Sequence, residues 1–172
     1  MPYKINIIYQ DLHHYKELIL PLINSLFNTH TTNDIFTNFN VMTNKGNINI
    51  QIIPTQLPNY NDSIPNTSNF IHHDSEIIHI DSDIIIIPYF TNDIKSYQYI
   101  LTHWNYLISF NIPIIKIGIT DDTNHKNDIV SNVYVESHSF YKLSPNHNNN
   151  HLLQNIIWKL CGYNCIISPI IP

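Results

Sequence analysis

The sequence predicts an α/β protein with a doubly wound sheet, mostly parallel with one antiparallel edge hairpin, and helices on both faces. Two continuous apolar runs, residues 83–89 and 112–118, are typical of strands buried on both faces of a parallel sheet. These runs alternate with segments of helical periodicity, and an alternating hairpin pattern precedes them. A length of 172 residues suits one domain, so we expect residues 1–172 to form a single unit.

The amino-terminal segment predicts a strand followed by a helix. Ile5, Ile7 and Ile8 form a short apolar run that ends at polar residues. Apolar residues then recur at spacings of three and four, which indicates an amphipathic helix: Leu12, Tyr15, Leu18, Ile19, Leu22, Ile23, Leu26 and Phe27. Pro21 falls inside this pattern, where proline costs about 3 kcal/mol, so we expect a kink or a break there.

The middle of the chain predicts a hairpin and then a long loop. Apolar residues alternate with polar ones over residues 39–43 and again over 48–52, and Gly46 between them is suited to a turn. Residues 54–74 carry three prolines with many Asn, Ser and Thr residues, which predicts a long loop with a helical piece near 70–79.

The carboxyl-terminal half continues the alternation of strands and helices. A helix is predicted up to Ile108 with Asp93 near its start, and further strand material is predicted over 133–143. A closing helix has Leu152, Ile156 and Leu160 on one face, and Gly162 is suited to end it.

The composition excludes several functional classes. The net charge is −5, and the eight basic residues are all Lys, placed singly, which argues against nucleic-acid binding. Two cysteines, Cys161 and Cys165, do not make a secreted disulfide framework. The chain starts without an apolar signal segment and has no run of about 20 apolar residues, so we expect an intracellular protein, cytoplasmic or nuclear, without a membrane anchor. The abundance of Ile and Asn indicates an AT-rich genome, as in some protists and giant viruses.

The turn between the first strand and the first helix contains no glycine over residues 4–18. A phosphate-binding loop needs glycines at this point, because backbone N–H groups must approach the phosphates closely. This segment therefore predicts a fold whose phosphate-binding chemistry has been lost.

The order of elements resembles that of the Ras-superfamily small GTPases, and several strings are similar to the Ran subfamily. Thr43-Asn44-Lys45-Gly46 resembles the Ran hairpin, and residues 111–118 resemble the strand that carries the guanine-binding motif. Leu143-Ser144 and the helix that ends at residues 159–162 resemble the last guanine-contacting segment and the final helix. The resemblance covers nearly the whole chain and implies a P-loop-NTPase-like fold.

Under this resemblance the phosphate and magnesium contacts are replaced. The loop glycines fall on Tyr9, Asp11 and His14, the phosphate lysine on Tyr15, and the magnesium-binding Ser/Thr on Lys16. Asp11 would place negative charge where the anion would sit, and His13-His14 would line a turn exposed to water.

The remaining nucleotide motifs are reduced to fragments. The γ-phosphate-sensing string reads Pro54-Thr55-Gln56-Leu57, and the base-recognition string from Gly118 keeps only Asp122 as a guanine acceptor. Ser144 marks the last motif. The nucleotide-binding remnants that the resemblance implies are Lys16, Thr55, Gly118, Asp122 and Ser144, and we expect no catalytic residue and no bound cofactor.

Three functional hypotheses follow. The first is a Ran-like pseudo-GTPase that binds proteins, including regulators or receptors of transport GTPases. The alternative is a divergent GTP-binding protein that holds GTP and Mg²⁺ through the remnants, and the second alternative is a metal-dependent hydrolase. The metal hypothesis uses His79, Asp81 and Asp83, which would share one face of an extended segment. We favour a solvated loop there, since the spacing matches no standard zinc motif, and a carboxylate-capped turn for Asp121 and Asp122.

Overall fold

The computed structural model describes residues 1–27, 37–57, 80–120, 139–142 and 150–168. The strands are β1 (Tyr3–Tyr9), β2 (Thr37–Thr43), β3 (Gly46–Gln56), β4 (Ile84–Phe90), β5 (Ile114–Thr120) and β6 (Ser139–Lys142). The helices are α1 (residues 12–27), α2 (Ile94–Ile108) and α3 (Asn150–Cys161). No helix within the described ranges has the length and apolar character needed to cross a membrane.

The described strands form one sheet in the order β2-β3-β1-β4-β5-β6. β1 pairs in parallel with β3 and β4, and β4-β5 and β5-β6 are parallel as well. β2 is antiparallel to β3 and lies at the edge. The prediction of a mostly parallel α/β sheet with one antiparallel hairpin is therefore confirmed.

Side chains alternate between two apolar layers, one on each face of the sheet. Ile84 and Ile86 of β4 point to the layer that also contains residues of α1 and α3. Ile85 and Ile87 point to the opposite layer, which α2 covers. These four isoleucines are at most 1% exposed, as expected for a strand buried on both faces.

Of the kink or break expected at Pro21, the break does not occur, because α1 stays helical from residue 12 to residue 27. Leu12–His14 and Leu20–Phe27 are α-helical, and Tyr15–Ile19 between them is π-helical. The N–H of Leu20 donates to the carbonyl of Tyr15, five residues back. Proline lacks an N–H, so a widened turn directly before Pro21 accommodates the missing hydrogen bond without ending the helix.

The hairpin forms as predicted, but β3 is longer than expected. Gly46 opens β3 with a φ of +109°, a conformation that a side chain would disfavour. β3 continues through Pro54 to Gln56, although the sequence placed the start of a loop at Pro54. β2 pairs with β3 only as far as Ile52, so among the described residues one edge of β3 is open at Pro54 and tolerates its missing N–H.

The bounds of β5 also differ from those predicted. The strand runs from Ile114 to Thr120, so Gly118 lies inside it, paired with Tyr89 on one side and Phe140 on the other. The chain before it turns at Asn111, which has a φ of +54°. The apolar residues 112 and 113 therefore belong to the connection that leads into the strand.

The predicted ends of α2 and α3 are confirmed. Asp93 caps α2 by accepting from the N–H of Lys95 at 2.9 Å. Gly162, with a φ of +86°, follows α3 and donates its N–H to the carbonyl of Trp158 at 2.8 Å. Cys161 and Cys165 are free thiols, and Cys165 is fully buried in the apolar layer beside α1 and α3.

The segment after α3 is held against the rest of the fold by a side-chain amide. Nε2 of Gln154 donates to the carbonyl of Cys165 at 2.7 Å, and Oε1 accepts from the N–H of Ile167 at 2.8 Å. Ile167 forms an antiparallel bridge with Thr43 at the turn end of β2.

Several predicted features lie outside the described residues. They are the helical piece near 70–79, most of the 54–74 loop, and the part of the 133–143 strand material other than β6.

Candidate functional site

The candidate site lies at the carboxyl-terminal ends of β1, β3 and β4. These neighbouring strands are parallel, so their carboxyl ends meet on one side of the sheet, which is where open α/β sheets bind ligands. The segments that meet there are residues 9–12, 55–57 and 90–93.

Asp11 occupies the start of α1. Its backbone is extended, with a φ of −150°, and its Oδ1 accepts from the N–H of His14 at 2.8 Å. Its carbonyl accepts from the N–H of Tyr15 at 2.9 Å. A carboxylate is thus already bound where the positive end of a helix would attract an anion.

His14 is buried, which corrects the expectation of a histidine exposed to water; His13 beside it is exposed. The imidazole is 7% exposed and meets the Phe90 ring edge-on, with ring centroids 6.1 Å apart. Nδ1 accepts from the N–H of Gln10 at 3.4 Å. Burial lowers the pKa of His14 below its usual value, and the carboxylates of Asp11 and Asp93 oppose this only in part. The first turn of α1 directs the His14 side chain inward, and burial there favours the neutral form of the imidazole.

Aromatic side chains occupy the space around this turn. Tyr15, at the position that the resemblance gives to the phosphate lysine, packs on Tyr9 with ring centroids 5.2 Å apart. The hydroxyl of Tyr99 from α2 lies 3.2 Å from the carbonyl of Tyr9 and 3.3 Å from that of Leu57. Burial raises the pKa of both Tyr15 and Tyr99, so their hydroxyls stay protonated at neutral pH. The cluster joins the ends of β1 and β3 to α2.

Polar side chains at the end of β3 form hydrogen bonds with β1 and with the residue that follows it. Oγ1 of Thr55 accepts from Nδ2 of Asn6 at 3.0 Å, and Nε2 of Gln56 donates to the carbonyl of Gln10 at 2.9 Å. Asn6 is 4% exposed, and its Oδ1 has no hydrogen-bond partner among the described residues. Sequence reasoning missed Asn6, although a single amide inside the apolar run of β1 is a signal for a buried polar contact.

The remnant residues do not come together in one place. Lys16 is exposed on the π-helical turn of α1, near the strand ends, whereas Thr55 is engaged by Asn6. Gly118 lies within β5, separated from β1 by β4. Asp122 and Ser144 lie outside the described residues, as does Asp121.

Both acidic residues of the metal hypothesis interact with Lys4. Nζ of Lys4 forms an ion pair with Asp81, and the backbone N–H of Lys4 donates to Oδ2 of Asp83 at 2.7 Å. His79 lies outside the described residues. Within the part of the chain that the structure describes, no three His, Cys, Asp or Glu side chains are grouped as metal ligands.

An open groove lies at the opposite end of the strands, where β5 begins. It is lined by Trp104 and Ile108 of α2 and by residues 111–114, which lead into β5. Lys116 places its Nζ 3.7 Å from the centroid of the Trp104 ring, and burial lowers its pKa. The groove does not reach the ends of β1, β3 and β4, so it is separate from the candidate site.

The candidate site presents neutral hydroxyls, a neutral imidazole and carboxylates, with Lys16 at its border. No protein-family model matches this chain, and no curated protein sequence matches it significantly. The functional argument therefore rests on the residues and their geometry.

Proposed function

We propose that this chain is a Ran-like small-GTPase-type domain that has lost GTP binding and hydrolysis and acts by binding proteins. The mostly parallel sheet, with β2 antiparallel at its edge, supports the proposal because the resemblance implies a hairpin followed by parallel strands. The P-loop-NTPase-like identity of the sheet is part of the proposal.

The observation that carries the proposal is the capped start of α1. A phosphate placed at the end of β1 would have to displace the Asp11 carboxylate from the N–H of His14. It would also meet the partly buried rings of Tyr9, Tyr15 and Phe90, where a glycine loop would leave room for a ligand. Loss of each charge-assisted contact costs about 1.5–3 kcal/mol, so these replacements remove most of the affinity for a nucleotide.

The electrostatics of the turn point in the same direction. The carboxylates of Asp11 and Asp93 both act on His14, so two negative charges lie near the place where phosphates would bind. His14 does not offset them, because burial favours its neutral form. An anion bound here would be repelled by these two carboxylates.

The proposed role is recognition of partner proteins rather than chemistry. Partners suggested by the Ran-like pattern are regulators or receptors of transport GTPases, and no cofactor is needed for such a role. A domain that keeps the outline of a GTPase without its nucleotide would present one fixed surface, since no γ-phosphate would drive a switch.

Calorimetric titration of the purified chain with GTP and GDP, each with Mg²⁺, tests the proposal. We expect no binding tighter than about 100 μM, which corresponds to about 5.5 kcal/mol. Guanine-selective binding tighter than this would overturn the proposal in favour of a divergent GTP-binding protein. In that event Lys16→Ala and Thr55→Ala would identify the contacts. Direct binding to purified transport receptors that recognise Ran-type GTPases tests the partner class.

A further inference from the structure

The two cysteines of the chain meet at the carboxyl-terminal end of α3. Cys161 is the last residue of this helix, and Cys165 follows it after a turn of three residues. Both side chains contact the apolar layer that contains residues of α1 and α3, where Cys165 is fully buried and Cys161 is partly buried. The thiol of Cys165 and the hydroxyl of Tyr3, the first residue of β1, both lie within hydrogen-bonding reach of the Cys161 thiol.

The backbone of the turn holds the two cysteines near each other. Gly162 has a φ of +86°, in the left-handed region, and this conformation reverses the chain directly after Cys161. The N–H of Gly162 donates to the carbonyl of Trp158 at 2.8 Å, and the N–H of Cys165 donates to the carbonyl of Gly162 at 3.0 Å. These bonds fix the amino-terminal side of Cys165 with respect to α3.

Hydrogen bonds on the other side of Cys165 complete this arrangement. Its carbonyl accepts from Nε2 of Gln154, a residue of α3, at 2.7 Å. The N–H of the next residue, Ile166, donates to Oδ1 of Asn44 at 2.9 Å. Two thiols that are already neighbours on a fixed backbone lose little conformational freedom when they join, so the effective concentration of one for the other is high.

We propose that Cys161 and Cys165 are a redox-active thiol pair, which a small-molecule disulfide such as glutathione disulfide converts reversibly into an intramolecular disulfide. Cys161 reacts first, because its thiol is partly exposed whereas Cys165 is 0% exposed. The Cys161 thiolate attacks one sulfur of the reagent, whose S–S bond breaks. One glutathione leaves as a thiolate and takes up the proton that Cys161 lost.

The second step closes the pair inside the protein. The Cys165 thiolate attacks the Cys161 sulfur of the mixed disulfide, the bond between Cys161 and Cys165 forms, and the second glutathione leaves with its electron pair and takes up a proton. Two electrons and two protons thus pass from the cysteines to glutathione disulfide, and excess glutathione reverses both steps. The product ties the end of α3 to the carboxyl-terminal segment. This inference stands independently of the proposed loss of nucleotide binding.

Tyr3 acts on the first step as a positioning residue. Burial raises the pKa of the Cys161 thiol, and the neighbouring Cys165 adds to this rise, whereas the Tyr3 hydroxyl and the charge of Lys45 oppose it in part. The thiolate is the attacking species, so the pair reacts slowly at neutral pH and faster as the pH rises. Tyr3→Phe should shift the pH–rate profile to higher pH and slow the first step by about threefold for each pH unit of that shift. Tyr163→Phe, in the exposed part of the turn, should leave the profile unchanged.

Intact-mass spectrometry of the folded full chain in glutathione buffers at about pH 8 tests the proposal. Because the chain contains two cysteines, a monomer that lacks two hydrogen atoms and carries no glutathione identifies the disulfide between Cys161 and Cys165. Cys165→Ala should stop at a glutathione adduct on Cys161. Cys161→Ser should remain unmodified, because Cys165 is buried. Circular dichroism of each variant establishes that it folds.

The same measurement on the unmodified chain in denaturing guanidinium chloride separates a prearranged pair from two cysteines that are merely close in sequence. We expect the equilibrium constant for disulfide formation to be at least about tenfold larger in the folded chain. Equal constants in the two conditions would overturn the proposal. So would a folded chain that accumulates glutathione adducts or disulfide-linked dimers, or one that keeps both thiols free.

Discussion

Replacing Asp11 with Ala tests the capped helix start on which the proposed function depends. The change removes one side-chain acceptor, 2.8 Å from the N–H of His14, and takes a negative charge from the helix start. Loss of an N-cap costs about 1 kcal/mol, within a range of about 0.5–2 kcal/mol. The helix dipole adds about 0.3–1 kcal/mol for the lost charge. For a chain of this length 1 kcal/mol lowers Tm by about 2–4 °C.

Urea unfolding monitored by circular dichroism measures this free energy directly, and Asp11→Asn is the matched control. Asn caps a helix about as well as Asp, so Asp11→Asn should lose only the contribution of the charge, about 0.3–1 kcal/mol. If Asp11→Ala were as stable as the unmodified chain, the carboxylate would not cap α1. If Asp11→Asn and Asp11→Ala lost equal stability, the capping geometry would be irrelevant and only charge would matter.

Three further substitutions test other parts of the fold. His14→Gln should reduce the loss of stability on acidification, because the pKa of His14 is lower in the folded chain than in the unfolded chain. The stability that the neutral imidazole contributes is fully present above about pH 6.5, and it is lost as the pH falls through the folded pKa. The slopes of unfolding free energy should differ by at most about 1.4 kcal/mol per pH unit, with His13→Gln as control. Gln154→Leu should cost about 1–3 kcal/mol, since it removes two hydrogen bonds to the carboxyl-terminal segment. Tyr99→Phe should cost about 1 kcal/mol, whereas Tyr163→Phe, at an exposed position, should change stability by less than about 0.5 kcal/mol.

Each of these expectations has a clear contrary result in thermal and denaturant unfolding. Equal pH slopes for the two histidine variants would mean that the buried imidazole does not control the acid response. A Gln154→Leu chain of unchanged stability would mean that the amide contacts to the carboxyl-terminal segment add nothing. Similar losses in Tyr99→Phe and Tyr163→Phe would mean that the carbonyls near the Tyr99 hydroxyl are as well satisfied by water.

The outline of the fold was predictable because it depends on local patterns. The apolar runs in β4 and β5 indicated buried parallel strands, the alternation around Gly46 indicated the hairpin, and Gly162 marked the end of α3. Each of these signals arises from backbone conformation or from burial repeated along a few residues. Errors occurred where a local rule met a tertiary context. Pro54 reads as a breaker, yet among the described residues the pairing of β2 stops at Ile52, so no β2 residue needs a hydrogen bond from Pro54.

The candidate site was predictable only in what it lacks. The absence of glycine over residues 4–18 and the charge of Asp11 were visible in the sequence, and these argue against a phosphate-binding loop. The sequence did not reveal that His14 turns inward, because His13 and His14 are chemically identical and only the helix geometry against Phe90 separates them.

The sequence by itself determined the alternation of strands and helices, the net negative charge with Lys in place of any Arg, and the replacement of the loop glycines. Those features depend on residue type and spacing, which are properties of the chain alone. Tertiary structure decided the strand order, the contact between Asn6 and Thr55, and the reach of Tyr99 from α2 to the ends of β1 and β3. These contacts join residues 42 to 90 positions apart, and no local pattern specifies which distant groups will share a buried position.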